Sequence, residues 1–300
     1  MAHKKYPENT VFAKNGSVKL WTQHFGDKQN PAVLLVHGTG SLAIAWPDSF
    51  CNTLAKSGFF VIRYDQRDCG YSTHFEVIKP GQPAPYTAED LGNDAWAVLN
   101  EYAVKKAHCI GRSMGGLIVE FMMVQHPERV LSSILVSTFL NPKQTPFPEL
   151  NLPSLPKKSF EYMLSGNSLQ GNFEDDWPIR KKSIKALHGS FPVNEEMAEF
   201  YVKTNYQRKE GDIDTSTNTL AASATYPLIA VFEGLKKTTI PTLVIHGTED
   251  YLVPFDHGQA VAKLIPTAEF YSIEKAGHLF FNEKLWDVLL TPKILAFLKK

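Results

Sequence analysis

Three residue types that together break acyl bonds occur in this chain, each just past a short apolar run, in the order serine, aspartate, histidine. Ser113 lies in Gly111-Arg112-Ser113-Met114-Gly115, a G-x-S-x-G pattern between the apolar Ala107-His108-Cys109-Ile110 and the helix-like stretch Gly116 to Gln125. That order predicts strand, tight turn and helix. The serine would hold a strained backbone with its hydroxyl projecting, and the flanking glycines avoid a collision with the adjacent strand and helix. Asp250 follows Thr242-Leu243-Val244-Ile245, and His278 follows the strand-like Glu269-Phe270-Tyr271-Ser272-Ile273. A serine hydroxyl is a poor nucleophile at its free pKa. A histidine that accepts its proton, and a carboxylate that holds the imidazole in one tautomer, make it a good one. Glu249 is the nearest rival for the acid, since Ser137-Thr138-Phe139-Leu140-Asn141 carries no carboxylate.

The charge that develops on an attacked carbonyl needs donors. Val33-Leu34-Leu35-Val36 reads as a buried strand ending in His37-Gly38-Thr39-Gly40, a loop able to turn an amide toward the site. The N–H groups of Thr39 and Met114 are therefore the expected oxyanion hole. Phe139, directly after a core strand, is the residue expected to line a substrate pocket.

These residues need a scaffold that brings strand ends together. Lys19 to Phe25 reads as an early antiparallel strand. The runs Val33 to Val36, Phe59 to Tyr64, Ala107 to Ile110, Ile134 to Val136 and Leu243 to Ile245 suit a sheet covered on both faces. The expected fold class is α/β: a mostly parallel sheet flanked by helices, with the functional residues beyond the strands' C-terminal ends. The alternation breaks after Thr138 with the proline-rich stretch Asn141 to Pro156, and 141–237 reads as an inserted helical cap between core segments 1–140 and 238–300. Aromatics of this cap, including Phe147, Tyr162, Phe173, Trp177 and Tyr226, either roof the pocket or pack the cap on itself. His37-Gly38-Thr39 and His246-Gly247-Thr248 share three letters but no wider repeat.

A chain of 300 residues, 43% of them hydrophobic, can bury a large core. Thirty-one basic and 31 acidic residues balance, and no basic stripe with interleaved aromatics points to nucleic acid. Three cysteines without a leader-like segment favour a reduced, cytoplasmic protein. No apolar run reaches bilayer length. With no HExxH, paired CxxC or P-loop pattern, no metal or organic cofactor is expected. The partner is a small-molecule ester, and the chain is expected to be a monomer or homodimer.

The triad order and the segments Val18-Lys19-Leu20-Trp21, Phe25-Gly26-Asp27, Trp46-Pro47-Asp48, Val61-Ile62-Arg63-Tyr64-Asp65, Arg67-Asp68, Gly70-Tyr71-Ser72, Pro241 to Ile245 and Leu264-Ile265-Pro266-Thr267-Ala268 resemble the capped α/β-hydrolases, especially aclacinomycin-methylesterase-like and carboxylesterase-like serine hydrolases. The resemblance covers about two thirds of the chain, on both sides of the cap. It implies hydrolysis of small to medium esters by Ser113, Asp250 and His278 through an acyl-serine. Thioesters, lactones, carbon–carbon bonds next to a carbonyl and cofactor-free perhydrolysis remain alternatives, as does a non-catalytic ligand-binding member. Two departures stand out. Arg112 occupies a position usually held by an uncharged residue or histidine, and His37-Gly38-Thr39 replaces a more glycine-rich oxyanion segment.

Overall fold

The computed structural model describes residues 6–79, 82–139, 153, 171–208 and 216–300. Eight strands form one sheet: β1 (Thr10–Asn15), β2 (Val18–Phe25), β3 (Ala32–Val36), β4 (Phe60–Tyr64), β5 (Ala107–Arg112), β6 (Val130–Val136), β7 (Thr242–Gly247) and β8 (Ala268–Ile273). Their spatial order is β1-β2-β4-β3-β5-β6-β7-β8. β2 runs antiparallel to β1 and β4, and all other neighbours are parallel.

The central strand β3 is apolar at every position because both faces of the sheet are covered. Along β3, Val33 and Leu35 pack into one core, which also holds Ile110, Ile134 and Ile245. Leu34 and Val36 pack into the other, with Cys109, Leu135 and Val244. Alternation within a continuous apolar run is what a doubly covered parallel sheet requires.

The helices are α1 (Asp48–Lys56), α2 (Ala88–Glu101), α3 (Met114–Gln125), α4 (Phe173–Leu187), α5 (Glu195–Arg208), α6 (Ser216–Ser223), α7 (Leu228–Leu235), α8 (Phe255–Leu264) and α9 (Thr291–Leu298). α2 starts at a capping box: Thr87 Oγ1 accepts from the Asp90 N–H while the Asp90 carboxylate accepts from the Thr87 N–H. Helices α4 to α7 form an insertion between β6 and β7, and the described residues there contain no strand. The expected boundary at Leu140/Asn141, and the aromatics Phe147 and Tyr162, lie outside the described residues. Among the described residues no helix is long and apolar enough to cross a membrane.

One feature of the topology positions the site. From β3 the chain goes next to β4 on one side, and then returns to form β5 on the other. At such a switch point the loops beyond β3 and β5 diverge and leave a crevice at the strands' carboxyl ends. The loop from His37 and the turn at Ser113 stand at this point.

Candidate active site

Ser113 occupies the turn between β5 and α3 with φ 55° and ψ −124°. A non-glycine residue in this region is strained, and it persists only where its surroundings over-determine it. Here they do. The Ser113 N–H donates to Val136 O at 2.9 Å, and Ser113 O accepts from the Gly116 N–H at 2.8 Å. A Cβ on Gly111 would stand 2.2 Å from Gly115 O, and one on Gly115 would stand 2.3 Å from Val36 O. The strand, the helix and β3 therefore approach to a distance only glycine allows, as the sequence motif implied. β5 runs two residues further than its apolar stretch, through Gly111 and Arg112, and α3 begins at Met114 instead of Gly116.

The loop after β3 lies against this turn. A Cβ on Gly38 would stand 3.0 Å from Ser113 Cβ and 3.5 Å from Ser113 Oγ. Thr39 Oγ1 donates to Met114 Sδ at 3.3 Å, so the two expected oxyanion residues touch. His37, fully buried, fixes the loop. Its Nε2 accepts from the Gln66 N–H at 3.2 Å, which leaves Nδ1 carrying the proton that it donates to Gly38 O at 2.9 Å. Burial lowers the His37 pKa, against the opposing effects of the Gly38 hydrogen bond and Asp65, so the ring is neutral as this tautomer requires. Gly38 O also accepts from the Ser41 N–H at 3.2 Å. In a trans peptide the N–H points opposite to the carbonyl, so holding Gly38 O fixes the Thr39 N–H on the other side. Met114 is the first residue of α3, where an N–H has no partner within the helix.

His278 and Asp250 form a pair beyond β8 and β7. His278 Nδ1 donates to Asp250 Oδ2 at 2.8 Å; the two residues are each 4% exposed. Asp250 Oδ1 accepts from the Leu252 and Val253 N–H groups at 3.0 and 2.8 Å. Burial raises the Asp250 pKa, but His278, His246 and their hydrogen bonds outweigh it and hold the carboxyl well below its usual range. An ionised carboxylate only accepts. It therefore fixes the proton of His278 on Nδ1 and leaves Nε2 free as a base.

Glu249 is turned elsewhere: its Oε2 accepts from the Ser190 N–H at 2.7 Å. The insertion also holds the histidine loop. Leu187 O, at the end of α4, accepts from the His278 N–H at 2.8 Å and from the Leu279 N–H at 3.1 Å, and His188 O accepts from the Gly277 N–H at 3.0 Å.

Several of these partners escape the sequence reading. His246 Nε2 lies 3.0 Å from Val253 O and 3.4 Å from Asp250 Oδ2, which ties the acid loop to the end of β7. His37 plays the matching part after β3. The shared His-Gly-Thr letters were the available signal. At both places a buried imidazole at a strand end bonds the carbonyl of the loop that follows.

Arg112 is 7% exposed and its Nε has no hydrogen-bond partner. Its guanidinium carbon stands 5.8 Å from the centre of the Phe280 ring. Burial lowers its pKa, opposed by Tyr201 and Asp250. Phe139 is half-buried and packs against the apolar cluster that contains Met114. Among the described residues no group of three His, Cys, Asp or Glu side chains is placed to hold a metal ion.

The comparisons agree with this architecture. A family model described as alpha/beta hydrolase fold matches residues 31–285. The chain is 29% identical over 282 residues to rhodomycin D methylesterase DnrP of Streptomyces peucetius, covering 90% of this chain and 92% of that protein. It is 25% identical over 278 residues to a 2-hydroxy-6-oxononadienedioate/2-hydroxy-6-oxononatrienedioate hydrolase of Pseudomonas sp, covering 91% and 89%. Among solved structures, 2-hydroxy-6-oxo-6-phenylhexa-2,4-dienoate hydrolase (BphD) from Rhodococcus sp. strain RHA1 matches with a TM-score of 0.75 over 97% of this chain and 99% of that one, at 19% identity.

Proposed function

Because the chain belongs to the alpha/beta hydrolase fold family, we propose that it is a serine hydrolase that cleaves small to medium carboxylic esters through an acyl-serine intermediate. The observation that carries the reading is the strained Ser113, φ 55°, on a strand-to-helix turn against which the Gly38 loop is packed. Such strain is kept where a side chain must be presented for reaction. The methylesterase relative, similar along nearly the whole chain, favours esters among acyl substrates.

In this reading Ser113 Oγ attacks the ester carbonyl and its proton passes to His278 Nε2. Asp250, held ionised, stabilises the imidazolium through Nδ1. The carbonyl oxygen becomes an oxyanion that the Thr39 and Met114 N–H groups bind; one such donor is worth about 10²–10³ in rate. Collapse expels the alkoxide, which takes the proton from His278 and leaves as the alcohol. Water then gives a proton to His278 and attacks the acyl-serine, and the returning proton frees Ser113 with release of the acid. The helices α4 to α7 would act as a cap that keeps other water away, with Phe139 lining the acyl pocket. None of Cys51, Cys69 and Cys109 is in a disulfide and all three are buried, which supports a reducing, cytoplasmic setting.

A fluorophosphonate probe followed by peptide mapping tests the assignment. Label should appear on Ser113, and Ser113→Ala should lose on the order of 10⁶ in kcat on p-nitrophenyl acetate. Label elsewhere, or a fully active variant, would remove the proposal.

A further inference from the structure

A guanidinium shut away from water beside the reacting serine needs an explanation. Arg112 precedes Ser113, is 7% exposed, and forms no ion pair among the described residues. Its Nε is left without an acceptor. Removing a cation from water costs several kcal/mol unless a partner replaces the lost hydration, and the five donors of a guanidinium form a fork suited to a carboxylate.

The described neighbours do not supply that partner. Asp250 lies near enough for its charge to act on Arg112. Its oxygens, however, are already taken up by His278, His246 and the Leu252 and Val253 N–H groups. His37 is neutral and its ring donates to Gly38 O. Tyr201, from α5, is a phenol whose oxygen accepts from the Leu42 N–H at 3.1 Å; burial raises its pKa, so it stays neutral. Phe280 offers only a ring face. Among the described residues the cation thus has the acid–base pair, the oxyanion loop and a tyrosine of the insertion around it, and no anion hydrogen-bonded to it.

We propose that Arg112 is the receptor for a carboxylate carried by the substrate, so that the preferred esters bear an anionic group a few bonds from the scissile carbonyl, as in monoesters of short dicarboxylic acids. This rests on the ester-hydrolase reading above and narrows it: among small to medium esters, the buried cation asks for a mixed one, with a short apolar chain ending in charge.

The test compares monoethyl succinate, ionised at pH 7.5, with ethyl valerate, a neutral ester of similar size. The wild-type protein should favour the anionic ester in kcat/KM by at least about tenfold, as a desolvated ion pair warrants. Arg112→Gln should reduce that ratio by at least about tenfold, mainly through KM, and Arg112→Lys should restore part of it. No preference in the wild type, or an equal loss on both esters in Arg112→Gln, would overturn the proposal, since a residue that only supports the fold affects both alike.

Should the variants fold poorly, the wild type alone decides: succinate should inhibit p-nitrophenyl acetate hydrolysis competitively where butyramide does not, and equal inhibition by the two overturns the proposal. Failure of the ester-hydrolase reading looks different. Ser113 would then resist the fluorophosphonate probe and neither ester would be turned over, while a rise in Tm with succinate but not with succinamide would still report the anion site, and its absence would dismiss it.

Discussion

The two carboxylates in the loop after β7 differ by one position and by everything around them. Asp250 is buried against His278, whereas Glu249 bonds the insertion at Ser190. Asp250→Asn should therefore cost about 10⁴ in kcat, because an amide in that place favours the wrong imidazole tautomer. Glu249→Gln should leave kcat within a few-fold. Steady-state rates on p-nitrophenyl butyrate check both, and the reverse pattern would exchange the roles. His37→Phe should lower kcat by about 10²–10³ with little change in KM, the size expected when one oxyanion donor loses its fixed direction. At this scale much was legible. The serine, aspartate and histidine announce themselves by residue type, chain order and their places after apolar runs. His37 and His246 show only as a shared His-Gly-Thr, because a side chain that acts by bonding a nearby backbone carries no chemical signature of its own. Arg112 was visible as a departure, but its isolation becomes apparent only with Asp250 and Tyr201 in place.

Among the elements, α3 carries the sharpest energetic feature. Glu120 is fully buried; its Oε2 accepts from Tyr226 at 3.2 Å while Oε1 has no partner, and burial pushes its carboxyl up to about 8. Below the usual carboxylate value of 4.5 the group is neutral in both the native and the unfolded chain. As pH rises from there the unfolded chain ionises first, so this contribution to stability falls by ~1.4 kcal/mol per pH unit until the native group ionises. Glu120→Gln, which keeps the neutral shape, should therefore gain on the wild type progressively between pH 5 and about 8 and level off above. Urea unfolding at several pH values reads this, and a constant difference would refute it. The same helix starts where Gly115 meets β3. Gly115→Ala would set a methyl against Val36 O and should destabilise by about 1–3 kcal/mol or more. Periodicity showed which stretches are strands and helices but not where they stop. β5 continues through Gly111, which reads as a breaker yet is small only because Gly115 is so near. β1 was not anticipated. It is a half-buried edge strand paired on one side, so its sequence Thr10–Asn15 needs no apolar run.

For the molecule as a whole, the insertion is fastened to the sheet by polar contacts that span long stretches of sequence. Arg208, at the end of α5, stacks over Trp21 at 4.6 Å and Tyr71 at 4.9 Å. Asn218 of α6 donates to Asp68 at 3.0 Å and accepts from the Ile78 N–H at 3.0 Å. Arg208→Ala should loosen this attachment, and limited proteolysis should then cut between β6 and β7 under conditions that leave the wild type intact. On the proposed reading, a roof fixed in this way also bounds the acyl group. Rates on p-nitrophenyl acetate and butyrate should exceed those on palmitate, with no jump at the solubility limit; preference for an emulsified long-chain ester would mean that the insertion opens at interfaces.

The sheet order has a further consequence, for the chain as it is made. β6 pairs with β5 early, but its other neighbour is β7, and Ser133 bonds Thr242, 109 positions further along the chain. A ribosome adds roughly 5–20 residues per second, so the outer edge of Val130–Val136 waits roughly 5–20 s for its partner while the insertion is synthesised. During that interval an apolar strand with unpaired N–H and C=O groups is a template for any other nascent chain. Aggregation on rapid expression, relieved by slower translation or lower temperature, is the cost this topology sets on placing a helical insertion between two adjacent strands.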